Sequence, residues 1–502
     1  MKGHARKPRR IAIGLLALLF ASAALPLSAQ PASRAGHLLD MGHWSRGALE
    51  RLIADGLLDA GDVLVWPVRQ TRALSLFEEA LNRVSAADPG ARDRVAGWIA
   101  RLEEESGAGG GVTLAATVDA GFRTRAGERI AGRLVPRAGG DFDYTGTVER
   151  PARRAVDASQ SISLSLSRFT IAAARGERDE VRGRTTALYI LYGTESLDLW
   201  AGRRPLAFGP AGRGGIVLGD ETRLDGFGVE LPAGFHLPGF LRALGPVRLS
   251  QTFARMHRSG PIEHPWFLAT RVLISPSPSL AIGLNRAALF GGEGNQGVTL
   301  ERAFWMLLGQ TDIGSKDSDF ENQVVSFDVR WHPGTSAWTV FGEYAFDDAG
   351  GAFIRVPALT LGATLARVPG LPSLAASAEI TRFTPHCCGH PPWYRHGALA
   401  EGWTDRGVLL GHASGGEGTE AALGVRADLA DARVIADARA YIRDRGPENL
   451  LAPEFEGRSL GAELRTTAAF TPHLRIILDL AGERFENGRT RHNAWIGLRA
   501  IL

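Results

Sequence analysis

The sequence predicts an all-β transmembrane barrel, antiparallel, preceded by a small N-terminal α-helical bundle. Three observations predict it: a secretion signal at the start, a change from helical to two-residue periodicity near residue 110, and long alternating segments. After the signal no stretch offers eighteen apolar residues free of charge, so any crossing of a membrane falls to strands.

The signal comprises Lys2, Arg6, Lys7, Arg9 and Arg10, the apolar run Ile11 to Leu27, and Ser28-Ala29-Gln30. These are the basic, apolar and cleavage regions of a secretory leader, expected to span 1–29 and to leave 473 residues. No cysteine follows the cleavage point, so a lipoprotein anchor is not expected. Removing the leader lowers Lys+Arg from 57 to 52 against 54 acids, a net charge of −2. The basic balance therefore belongs to the leader, and nucleic acid is not expected as a partner. Cys387 and Cys388 are adjacent, which does not suit ordinary disulfide geometry, so burial and backbone pairing must supply the stability.

Residues 30–110 are expected to form the helical bundle, either as a plug or on the periplasmic side. Ser45 is a possible N-cap before Leu49, Leu52, Ile53 and Leu57, and Thr71 precedes the stripe Leu74, Phe77, Leu81 and Val84. Asp88-Pro89 opens a third helix with Val95, Trp98, Ile99 and Leu102 on one face. The run Gly107 to Gly111 ends the bundle.

Residues 111–502 are expected to form the barrel. Val112, Leu114, Ala116, Val118, Ala120 and Phe122 alternate with Thr113, Ala115, Thr117, Asp119 and Gly121. The pattern returns at Ser161–Ser167, at Val325–His332, at Leu423–Leu429 and at Leu460–Arg465. A soluble sandwich also alternates, but these segments are longer than its usual five or six residues and their second face is repeatedly charged. At roughly twenty residues per strand and connection the span holds about 16 to 20 strands. The last, Ala494–Leu502, runs to the final residue, where barrel-assembly machinery reads its signal, although Leu502 replaces the usual aromatic.

Four stretches resemble the Wzi family of capsule-assembly proteins. Trp44 through Pro67, with Leu49–Leu57 and Val65-Trp66-Pro67, is similar to that family's opening segment. Phe208-Gly209-Pro210, continuing through Arg213 to Asp220 and Arg223, resembles its Gly-Pro-Gly turn, with Ala211 replacing the second glycine. Ser277–Arg286 resembles a strand of the family, and Tyr394-Arg395-His396-Gly397 with Gly402–Gly407 and Gly411-His412 resembles its large loop. The resemblance implies about eighteen strands, a periplasm-side bundle, and a non-enzymatic role in which capsular or extracellular polysaccharide is held at the cell surface.

Candidate polysaccharide-binding residues are Phe208, Arg213, Asp220, Arg223, Trp393, Tyr394, His396, Trp403, Arg406 and His412. Aromatic faces and polar donors suit sugar rings, although aromatics near a membrane boundary also serve as girdle residues. Arg123, Arg286, Arg330, Arg426, Arg439, Arg465 and Arg499 are expected to point inward. There they either bind an acidic polymer or pair with Asp119, Asp328, Asp428, Asp437 and Glu463.

His386-Cys387-Cys388-Gly389-His390 carries ligand types without the spacing of zinc pairs. Gly292, Gly294 and Gly297 match a dinucleotide fingerprint by letter but lack a βαβ unit. No cofactor, metal or catalytic constellation is expected. Outer-membrane lipid is the expected solvent, and a porin or polysaccharide exporter is the alternative function.

Overall fold

The alternation of residues 322–331 decides which solvent each face meets. Ser326, Asp328 and Arg330 are 0, 2 and 5% exposed, whereas Phe327, Val329 and Trp331 between them are 48, 42 and 42% exposed. A soluble sandwich would bury the apolar row. Here the polar row is buried, with Asp328 accepting from Arg271 at 2.6 Å and from Asn285 at 2.7 Å. The same inversion recurs at Ile190, Phe227, Leu361, Leu423, Leu460 and Ile496, all exposed, so lipid bathes the outer surface.

The computed structural model describes residues 36–501 apart from 87, 107–111, 128–152, 177–183, 213, 221, 260–261, 296–320, 334–336, 348–356, 386–392, 396–398, 400–401, 406–407, 431, 451–455 and 472. Eighteen antiparallel strands form one sheet. They begin with β1 (Val112–Gly127), β2 (Arg153–Leu166), β3 (Phe169–Gly176), β4 (Arg184–Gly193), β5 (Asp198–Pro205) and β6 (Arg223–His236). Next come β7 (Pro246–Arg255), β8 (Trp266–Ser277), β9 (Leu280–Phe290), β10 (Asn322–Trp331), β11 (Trp338–Asp347) and β12 (Pro357–Leu365). The last six are β13 (Leu374–Phe383), β14 (Gly418–Leu429), β15 (Val434–Arg445), β16 (Gly457–Thr471), β17 (Leu474–Phe485) and β18 (Thr490–Ile501).

Closure comes from β1, which pairs with β2 on one side and with β18 on the other, placing Asp119 opposite Arg499. The main sheet thus has no open edge to leave unpaired N–H and C=O groups in hydrocarbon. One end has tight turns such as Ser167-Arg168 and Pro278-Ser279, and the other has the long connections 206–222 and 384–417. Short turns mark the periplasmic end of such barrels and long loops the outer end. Trp331 and Trp338 meet edge to face at 5.9 Å on the outer wall near the short-turn end, where an aromatic girdle belongs.

Arg286 departs from the inward placement expected of it. Asn285 and Ala287 are the buried inward neighbours, and the Arg286 Nε–H donates to Gln323 at 3.2 Å on the outer face. The inward row of β9 is Ala281, Gly283, Asn285 and Ala287, so no charge in its sequence marks the lumen side.

Three helices precede the barrel: α1 (Ser45–Ala54), α2 (Gln70–Arg83) and α3 (Pro89–Ser106). Asp88 caps α3 by accepting from the Ala91 N–H at 2.9 Å. Ser45 is not a cap: it lies inside α1, its hydroxyl 2.8 Å from His43 Nδ1. Thr71 lies within α2. Trp44 stacks on Phe77 and Phe77 meets Trp98 at a tilt, each pair 5.9 Å apart, and Ala432 and Ile435 at the short-turn end of the wall complete this core. The bundle therefore sits in the lumen at the short-turn end.

Ion pairs fasten it there. Arg51 meets Asp428 at 2.8 Å, Arg69 meets Asp198 at 2.9 Å, Asp62 meets Arg248 at 3.0 Å and Glu50 meets Arg330 at 2.9 Å. Of the inward arginines, Arg499 pairs with Asp119, Arg426 with Asp428 and Asp437, and Arg465 with Asp479. Asp328 pairs with Arg271, leaving Arg330 to the helix.

Candidate functional site: the loop plug and the chamber beneath it

Both long loops fold into the outer mouth because each carries an apolar row that lipid cannot reach. Phe208, Ile216, Val217 and Leu218 of the first loop pack on Trp393, Tyr394, Trp403 and Leu410 of the second. Phe267, Leu289, Val324, Ala345 and Phe383 line the surrounding wall. Phe383 holds the aromatic corner, with its ring centroid 5.1 Å from Trp393 and 5.5 Å from Tyr394.

Several polar atoms of this plug hold the loops together. Tyr394 donates its hydroxyl hydrogen to the Ile216 carbonyl at 2.6 Å and accepts from the His412 N–H at 3.0 Å. Burial pushes the Tyr394 phenol well above its ordinary value, which keeps it protonated as a donor. The Trp403 indole N–H donates to the Val217 carbonyl at 3.0 Å, and the Gly219 N–H donates to the Leu410 carbonyl at 2.7 Å. A Cβ on Gly219 would run into the Gly411 carbonyl, so only glycine permits this crossing.

Wall carboxylates complete the anchorage. Glu343 accepts from the Ile216 N–H at 3.1 Å, Glu379 from the Gly212 N–H at 2.9 Å, and Asp347 from the Tyr394 N–H at 2.7 Å. Sequence reading did not single out these three acids. Their signal is a carboxylate at an inward position in the outer half of a strand, where a falling loop presents its N–H groups.

Of the candidate residues, Phe208, Trp393, Tyr394, Trp403 and His412 are brought together here, each at most 1% exposed. The expected open aromatic faces are therefore engaged in packing, because the loops turn inward and not away from the barrel. Asp220 lies beside them and pairs with Arg46 of α1 at 2.8 Å. Arg223 stands apart at the start of β6, on the row that faces outward with Asp225 and Phe227. Arg213, His396 and Arg406 lie outside the described residues, as do Cys387, Cys388 and the adjoining His386 and His390.

Between this plug and the helices lies a chamber of about 330 Å³. Arg46, Arg426, Arg439 and Arg465 face Asp220, Glu379, Asp437 and Asp479 around it. Its charges are mixed and largely matched, which suits bound water or uncharged sugar hydroxyls better than a strongly anionic guest. Among the described residues no three histidine, cysteine or acidic side chains gather as a metal site.

A family model described as capsule assembly protein Wzi matches residues 105–494. The chain belongs to the Wzi family. Its solved structural relative, Wzi of Escherichia coli, is described as an outer-membrane carbohydrate-binding β-barrel involved in group 1 capsule assembly. That structure aligns over 93% of this chain and 99% of its own, with a TM-score of 0.71 at 17% identity. An uncharacterized 55.8 kDa protein in the cps region of Klebsiella pneumoniae is 26% identical over 155 residues, which is 30% of each chain. The chain thus aligns with less than a third of that relative. OpdQ of Pseudomonas aeruginosa aligns over 78% of this chain and 98% of its own at 10% identity, with a TM-score of 0.46. As a Wzi-family member the chain is an outer-membrane β-barrel.

Proposed function

We propose that this barrel binds and organises capsular or extracellular polysaccharide at the cell surface, without catalysis. The observation that carries the reading is the double filling of the lumen: a helical core at one mouth and a loop core at the other. A conduit for polymer needs a continuous path, whereas an attachment protein needs a rigid outer platform.

In this reading Phe208, Trp393, Tyr394, Trp403 and His412 act as positioning residues that hold the platform. Arg213, His396 and Arg406 on the same loops offer the donors for sugar contact, and Asp220 ties the platform to the helices through Arg46. Arg223 marks the rim. The segment 30–110 serves as the periplasmic plug, the leader 1–29 is removed on secretion, and assembly machinery inserts 111–502 into lipid. Saccharide recognition then rests on hydrogen bonds across a shallow surface.

Deleting the gene and measuring cell-bound against shed polysaccharide tests the reading. Polymer made but lost from the surface is the expected result; polymer retained inside the cell overturns it in favour of export.

A further inference from the structure

The outward rows of β13, β16 and β17 end, at the loop side, in arginines that the lumen chemistry does not use. Arg382, Arg458 and Arg484 are exposed, and their strand neighbours Thr381, Phe383, Ser459, Glu483 and Phe485 are buried on the inward row. They therefore project away from the barrel axis.

The register places them along one arc. Arg382 lies opposite Thr419, Thr419 opposite Asp444, Asp444 opposite Arg458, and Arg484 opposite Leu460 on the next strand. Four strand spacings make the arc about 19 Å long. Toward the membrane centre the next outward residues are Ile380, Ile442 and Leu460, with Leu480 beyond Gly482, and these four side chains are exposed and apolar. The arginines thus stand where hydrocarbon gives way to headgroups.

Two other arginines at this rim have acids beside them. Arg203 pairs with Asp225 at 2.7 Å, and Arg255 approaches Glu293 at 4.0 Å. Arg382, Arg458 and Arg484 have no ion-pair or hydrogen-bond partner for their side chains among the described residues, although Asp444 is set among them and Glu486 follows β17, its N–H bonded to the Arg458 carbonyl. A guanidinium fork at a lipid boundary is matched by phosphate oxygens, which accept two parallel hydrogen bonds.

We propose that Arg382, Arg458 and Arg484 form a docking surface for phosphate-bearing headgroups of outer-leaflet glycolipid. The arc is wide enough to engage more than one phosphate, and it continues the lipid-facing wall. An acidic polysaccharide is the less suited occupant, because the arginines face along the membrane surface and away from the loop platform.

The test uses the full barrel in zwitterionic nanodiscs, with occupancy read by native mass spectrometry. The probes are a disaccharide glycolipid carrying two phosphates, its dephosphorylated form, and a soluble uronic-acid polymer. The wild type and R242A, altered in the Gly239–Leu244 turn of 3-10 helix that joins β6 to β7 at the opposite rim, should favour the phosphorylated lipid. The triple variant R382A/R458A/R484A should bind it roughly a hundredfold more weakly. The corresponding triple lysine variant should recover most of the preference. Resistance to heat unfolding in detergent verifies that each variant is a closed barrel. Equal binding of the two lipids by the wild type, an unchanged preference in the triple alanine variant, or loss of uronic-acid binding alone would each overturn the proposal.

Discussion

Arg51 of α1 and Asp428 of β14 form an ion pair at 2.8 Å in which each side chain is 1% exposed. The pair joins the helical plug to the barrel wall far from bulk water, and Arg426 shares the same carboxylate at 2.9 Å. Burial costs both charges their hydration, so the contact stabilises the plug only while both partners are present.

Replacing Asp428 with alanine removes the carboxylate that two guanidinium groups share, leaving Arg426 with Asp437 and Arg51 with backbone carbonyls. We expect a loss of about 3–5 kcal/mol in chemical unfolding of the detergent-solubilised barrel. Arg51→Met should cost less, because Asp428 keeps Arg426. An equal loss in the two variants would contradict the shared role of this carboxylate.

Acid should loosen the bundle. Burial holds His43 well below its ordinary value and His37 at about 4. The partners of His43 fit the neutral ring, with the Ser45 N–H donating to Nδ1 and Nε2–H donating to Glu105 at 2.7 Å. Both groups fold neutral, so their contribution is complete above pH 6.5 and is lost as pH falls from there toward 4. Limited proteolysis of residues 36–106 from pH 7.5 to 4.5 should show increasing cleavage, with a weaker pH response in H43Q.

The loop platform depends on one tight crossing. Gly219→Ala should part the two loops, and Trp403→Ala should cost about 3–5 kcal/mol of local stability. Both variants should keep the heat-resistant barrel while cell-bound polysaccharide falls. Full retention of polymer by both would separate the platform from the function.

Conductance should require two lesions. The intact protein is expected to be silent in planar bilayers, as is a variant lacking residues 45–106, because the loop core still fills the outer mouth. Shortening residues 393–413 in addition should produce steady openings. A steady current from the intact protein would favour transport over attachment.

The barrel was readable from strands such as β10 because its two rows differ in chemistry at every step. Alternation alone left a sandwich open, and the exposure of Phe327 beside buried Asp328 removed that alternative. Arg286 was misplaced because the inward row of β9 carries only small or neutral side chains. Trp393, Tyr394 and Trp403 were recognisable as a concentration of aromatic chemistry, but residue type does not reveal which way a loop falls. That direction depends on partners such as Phe383 and Glu379, distant until the strands pair. Pairing of lumen arginines was anticipated in kind; Glu50 and Asp479 as actual partners depend on register and on helix placement.

The carbonyl of Gly411 and the hydroxyl of Tyr394 contact the first loop from within the molecule, while Leu423 and Ile496 stand exposed on the outer wall. Two independent sets of side chains consequently answer to two different milieus. Under the proposed function, variation in the glycan would be met by substitutions in residues 206–222 and 393–417, with the oily jacket and its insertion into the bilayer left as they are.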